Sequence, residues 1–144
     1  MNQGIPSHSS ISHYSTYIIR DPATHLVITL KKGTTIDGAD SPHGHNRGTH
    51  WHCVENKNRW LGFYNAVSGT YIRHNNQKKE WRFDANGKKH GDWESFCARE
   101  CPGGGHVLLV KHWDGLLAMR AEGGELVVDC KGEGGTAWEF VRVG

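Results

Sequence analysis

A turn, a tryptophan and a short alternating apolar run occur three times in this chain. The segments are Thr49-His50-Trp51-His52-Cys53-Val54, Gly91-Asp92-Trp93-Glu94-Ser95-Phe96 and Thr136-Ala137-Trp138-Glu139-Phe140-Val141, with their tryptophans 42 and 45 residues apart. Self-similarity at such a period marks a repeat architecture, in which one supersecondary unit cannot bury its apolar face alone. A second block follows the first two tryptophans: Leu61-Gly62-Phe63-Tyr64-Asn65-Ala66-Val67-Ser68-Gly69-Thr70-Tyr71-Ile72 matches Val107-Leu108-Leu109-Val110-Lys111-His112-Trp113-Asp114-Gly115-Leu116-Leu117-Ala118. Each copy is a strand, a turn with glycine and a strand. After Trp138 the chain ends, and Tyr17-Ile18-Ile19-Arg20-Asp21-Pro22-Ala23-Thr24-His25-Leu26-Val27 supplies the missing copy, so the third repeat is split between the termini.

A third block recurs as Glu80-Trp81-Arg82-Phe83-Asp84 and Glu125-Leu126-Val127-Val128-Asp129, with Thr34-Thr35-Ile36-Asp37 as a weaker counterpart. Four strands per unit and three units give about twelve strands, which close into a barrel and leave no exposed edge. No stretch holds a 3.6-residue apolar period over three turns without glycine, so the fold is all-β. A propeller also uses four-stranded units of this length, but three blades are too few.

With 144 residues the chain is one domain, expected as a flexible leader over 1–13 and a single β domain over 14–144. Its formal charge is only +2, which gives no field of the kind that drives binding to nucleic acid or an anionic membrane. The apolar runs are far shorter than a membrane span, and residues 1–15 are polar without a signal core. The expectation is therefore a cytoplasmic protein in which Cys53, Cys97, Cys101 and Cys130 are reduced thiols. The Cys97-x-x-x-Cys101 spacing is not that of a zinc knuckle, and no metal is expected.

The three tryptophan positions and the Ser68-Gly69-Thr70-Tyr71-Ile72 block make the chain, over residues 14–143, similar to a β-trefoil, closest to the fascin-like and ricin-B-like trefoils common in fungi. Where a ricin-B repeat carries Q-x-W, this chain has Thr49-x-Trp51, Gly91-x-Trp93 and Thr136-x-Trp138. The resemblance implies a fold that hosts lectins, protease inhibitors, actin bundlers and enzymes, so function must be sought in the departures from symmetry.

What recurs in all three units serves the barrel. Trp51, Trp93 and Trp138 are expected in the core, with Trp81, the counterpart of Leu126, beside them. Glu94 and Glu139 align as structural hydrogen-bonding groups, with His52 at their shared position. Trp60 aligns with His106 and Trp113 with Val67, so neither tryptophan is demanded by symmetry. Both are candidate platforms for a sugar ring or aromatic metabolite, with Arg59, Tyr64, His112 and Asp114 beside them to orient polar groups.

Four of the 11 histidines fall between Ser41 and His52, in Ser41-Pro42-His43-Gly44-His45-Asn46-Arg47-Gly48-Thr49-His50-Trp51-His52. Strand periodicity places His50 and His52 on one face and Trp51 and Cys53 on the other. Such a pair suits acid and base chemistry near neutral pH, and would suit a metal only with a third ligand such as His43 or His45. There is no G-x-S-x-G, phosphate loop or dinucleotide fingerprint, so no cofactor is expected.

Three functions remain open. The first is binding of a small molecule, chiefly a carbohydrate, on Trp60 and Trp113 with His112, Asp114, Arg59 and His45 around them. The second is a cofactor-independent cyclase or isomerase acting on an aromatic or polyketide-like metabolite. In it His50 or His52 moves a proton, and Tyr64 or Arg47 stabilises developing negative charge. The third is a protease inhibitor or actin-interacting module acting through loop 37–49.

Overall fold

The computed structural model describes residues 11–30, 36–38, 47–75, 82–129 and 134–143. These contain twelve strands, β1 (Thr16–Arg20), β2 (Leu26–Ile28), β3 (Ile36–Gly38), β4 (Trp51–Glu55), β5 (Leu61–Asn65), β6 (Thr70–His74), β7 (Phe83–Gly87), β8 (Phe96–Glu100), β9 (His106–His112), β10 (Gly115–Glu122), β11 (Glu125–Val128) and β12 (Glu139–Arg142). One-turn 3-10 helices, Arg47–Thr49 and Asp92–Glu94, precede β4 and β8. No helix among the described residues is long and apolar enough to cross a membrane.

Six strands make a closed barrel. β1 pairs with β12 and β4, β5 with β4 and β8, and β9 with β8, while the His106–Trp138 bridge at the threshold of β12 completes the ring. The remaining six form the hairpins β2–β3, β6–β7 and β10–β11, which continue from the far ends of β1, β5 and β9. Read from β1 the chain is three contiguous four-stranded units. The split third repeat is the same arrangement counted from β4.

Cross-strand register fixes the threefold equivalences. Tyr17 stands opposite Trp51, Leu61 opposite Phe96 and His106 opposite Trp138. Each of Trp51, Phe96 and Trp138 is fully buried, as are the equivalent sets Ile19, Phe63 and Leu108, and Ile28, Ile72 and Met119. Phe63 packs on Phe96 and Phe140 with ring centroids 5.6 and 6.0 Å away. Burial of such side chains contributes roughly 1.5–3 kcal/mol each.

These registers correct the alignment drawn from the Trp motif. Phe96, not Trp93, fills the barrel position of the second unit, and Trp93 is 40% exposed on the turn three residues earlier. The reason is that pairing with β5 selects the inward residue, and it selects Phe96. Glu94 consequently falls with Thr49 and Thr136, whereas Glu139 falls with His52 and Cys97, so the two glutamates are not counterparts. Trp60 falls with Thr16 and Gly105, and it is Leu61 that matches His106. The β9–β10 hairpin extends two residues beyond the β5–β6 hairpin, which puts Trp113 at a tip without a counterpart in that hairpin rather than opposite Val67.

Of the leader expected over 1–13, residues 1–10 lie outside the described residues. Ile11 packs against the core, and the Ser12 amide donates to the Tyr17 hydroxyl at 2.7 Å. Trp81 and Cys130 also lie outside the described residues, while Cys53, Cys97 and Cys101 are free thiols.

Candidate functional site at the second-unit corner

Threefold equivalence identifies the corner where the second unit departs from its copies. Three residues before Trp51 and Trp138 stand Gly48 and Gly135, and three before Phe96 stands Trp93. A Cβ on Gly135 would lie 2.8 Å from Val107 Cγ1 and 3.0 Å from Met119 O, so that corner has no room for a side chain. Two residues beyond Ile28, Ile72 and Met119 stand Leu30, His74 and Ala121. At the position of Thr49 and Thr136 stands the buried carboxyl of Glu94.

The turn that carries Trp93 is held by its own side chains. Gly91 N donates to Glu94 Oε1 at 3.0 Å and Ser95 Oγ donates to Gly91 O at 2.8 Å. Gly87 makes room beneath, since a Cβ there would fall 2.6 Å from Glu94 Cγ. Burial pushes the Glu94 pKa up, opposed in part by the Gly91 amide, Arg73 and Lys89.

Above Glu94 lies a concavity of about 440 Å³, lined by Arg73, Lys88, Lys89, Asp92, Trp93 and Glu94. That volume is within the usual span of small-molecule sites, ~300–1,000 Å³. Arg73 pairs with Asp84 at 2.9 Å and Lys111 with Asp92 at 3.2 Å.

A row of aromatic rings runs from this concavity to the neighbouring hairpin. Centroids are 5.5 Å apart for Trp93 and His74, 5.0 Å for His74 and His112, and 5.9 Å for His112 and Trp113. His74 is 2% exposed, and burial, then the adjacent His112 and Arg73, push its pKa down to about 4. Trp113 is 75% exposed at the hairpin tip with φ of +55°, and Asp114 is exposed beside it.

The structure thus brings His112 and, through it, Trp113 toward the second-unit corner, and leaves Trp60 and Arg59 at the other end of the barrel. Trp60 precedes β5 and Trp113 follows β9, and these strands run the same way about the threefold axis. Arg59 lines a separate pocket of about 450 Å³ with Ile11, Glu55, Cys97 and His106.

His50 and His52 share a third, smaller pocket of about 220 Å³ with Thr16, Ala66 and Val67, and Thr16 Oγ1 lies 2.6 Å from His52 Nδ1. Tyr64 lies beside His52 with ring centroids 6.4 Å apart. His43, His45 and the side chain of Arg47 lie outside the described residues, as does most of loop 37–49. Among the described residues no group of three or more His, Cys, Asp or Glu is placed to hold a metal ion.

Sequence reasoning missed Trp93, His74, Glu94, Arg73, Lys88 and Lys89 as site residues. The signal that finds Trp93 and Glu94 is alignment on Phe96, which sets Trp93 against two glycines and Glu94 against two threonines.

No protein-family model and no curated protein sequence matches this chain. Solved structures match it along most of its length. The designed threefold-symmetric protein ThreeFoil has a TM-score of 0.69 at 12% identity, covering 89% of this chain and 99% of that one. The ricin B-like lectin of Macrolepiota procera, in complex with lactose, has a TM-score of 0.70 at 14% identity, covering 92% and 99%. The chain is a β-trefoil. A third trefoil neighbour, SeviL bound to asialo-GM1 saccharide, has a TM-score of 0.67 at 12% identity, covering 90% and 97%. At these identities the likeness establishes the trefoil fold and leaves function to the site.

Proposed function

We propose that this trefoil binds carbohydrate at the second-unit corner. The observation that carries the proposal is that the half-exposed Trp93 and the buried Glu94 line one concavity where the other two units have glycine and threonine. An indole face suits the C–H face of a sugar ring, a carboxylate accepts hydrogen bonds from hydroxyls, and Arg73, Lys88 and Lys89 supply donors. Trp113 and His112 extend the aromatic surface toward a second sugar. The trefoil neighbours solved with lactose and with asialo-GM1 saccharide support the same class of ligand.

The test is a saccharide array probed with the whole protein, with Trp93→Gly and Glu94→Thr as variants. Both substitutions install residues that the other corners already carry. The expected result is a folded protein whose saccharide binding falls at least tenfold in each variant. Undiminished binding in both, or no saccharide bound by the unsubstituted protein, overturns the proposal.

A second function, the cofactor-independent cyclase or isomerase, is favoured by His50 and His52 lining one pocket beside Thr16, with Tyr64 adjacent. That pocket is smaller than the usual small-molecule site. A rate profile without an inflection near the imidazole pKa, or full turnover in a His50→Ala/His52→Ala protein, removes it.

A further inference from the structure

We infer that the saccharide bound at the second-unit corner carries an anionic group, a carboxylate or a sulfate ester, seated against Lys88 and Lys89. The inference rests on the carbohydrate proposal and specifies its ligand. It starts from the charges around the concavity. Arg73 is committed to Asp84 and Lys111 to Asp92. Lys88 and Lys89 are exposed, both line the concavity although consecutive in sequence, and neither has an ion-pair partner among the described residues.

The one remaining acid, Glu94, lies at the floor with Oε1 engaged by the Gly91 amide. The Lys89 ammonium also acts on the Glu94 carboxyl, so Lys88 is the one cation of this rim without a counter-charge among the described residues. An anion seated on that rim supplies the missing counter-charge and gains charge-assisted hydrogen bonds. The ligand chemistry divides accordingly: the ring face goes to Trp93, hydroxyls go to Glu94, and the anionic substituent goes to the lysines.

The experiment is an array of neutral saccharides printed beside sialylated, uronate-bearing and sulfated derivatives of the same cores. Unsubstituted protein, Lys88→Glu/Lys89→Glu and Lys57→Glu are compared, Lys57 being an exposed lysine of the β4–β5 turn at the far end of the barrel. The expected result is that anionic derivatives bind about tenfold tighter than their neutral cores, with the advantage shrinking in high salt. The double variant loses that advantage and Lys57→Glu keeps it. Comparison of sulfated with carboxylated derivatives then identifies the group.

Equal binding of neutral and anionic forms overturns the inference and leaves carbohydrate binding standing. An anionic preference that survives in the double variant also overturns it, because general attraction would then suffice. Failure to bind any saccharide overturns the carbohydrate proposal itself and this inference with it.

Discussion

The imidazoles of His74 and His112 meet edge to face, 5.0 Å between centroids, one from β6 and the other from the end of β9. His74 is sealed beneath this contact, and its pKa of about 4 lies below the usual value of 6.5. Between those values the unfolded chain holds a proton that the folded chain rejects. His74 therefore contributes stability that is complete above about pH 6.5 and is lost as pH falls toward 4, by up to ~3 kcal/mol. Glu94, raised by burial, works in the opposite sense: its share is present in acid and is lost as pH rises through its folded pKa. Urea unfolding at a series of pH values checks this, with His74→Leu, the residue at position 30, expected to flatten the acid decline.

Trp51 and Trp138 occupy equivalent core positions but differ in one bond. The Trp51 indole donates to Ile28 O at 3.1 Å, whereas Trp138 Nε1 is buried without a partner among the described residues. Phe96 shows that phenylalanine fits the position. Trp51→Phe is expected to cost about 1 kcal/mol more than Trp138→Phe, measured by equilibrium denaturation, since only the first also loses a hydrogen bond.

Size alone does not predict tolerance at the position shared by Gly48, Trp93 and Gly135. Gly135→Ala drives a methyl group against Val107 and Met119 O and is expected to destabilise by ~1–3 kcal/mol. Trp93→Gly removes an entire exposed indole and is expected to stay within about 1 kcal/mol. Thermal melts of the two variants rank them, and the reverse order would disprove the assigned equivalence.

Burial, aided by Glu55, pushes the Cys53 thiol up to about 12. At pH 8 its thiolate fraction is then about one in ten thousand. Alkylation of the native protein at pH 8, resolved by site with mass spectrometry, is expected to mark Cys101 and spare Cys53 until the barrel is unfolded. Early labelling of Cys53 would show that β4 opens locally.

The site was legible only in part. Trp113 and His112 stand out in the sequence because one repeat alone carries them, and they lie next to the second-unit corner. Trp60 carries the same mark, yet it lies at the opposite barrel end. Spacing in sequence does not say on which side of a barrel a turn will fall. Nothing in the repeat pattern singles out His74, and its significance appears only beside Leu30 and Ala121.

The sequence by itself determined the twelve strands and their threefold order, because alternating apolar runs and turn residues are local signals repeated at a nearly constant interval. Tertiary structure decided which residue of each repeat faces the barrel. Gly91-x-Trp93 imitates Thr49-x-Trp51 and Thr136-x-Trp138 in the chain, but pairing between β5 and β8 puts Phe96 inward and leaves Trp93 on the surface. Inward position is a property of cross-strand register, which two distant segments set together and neither encodes alone. The candidate site follows from that register, since it forms only where β6, the turn before β8 and the β9–β10 hairpin converge.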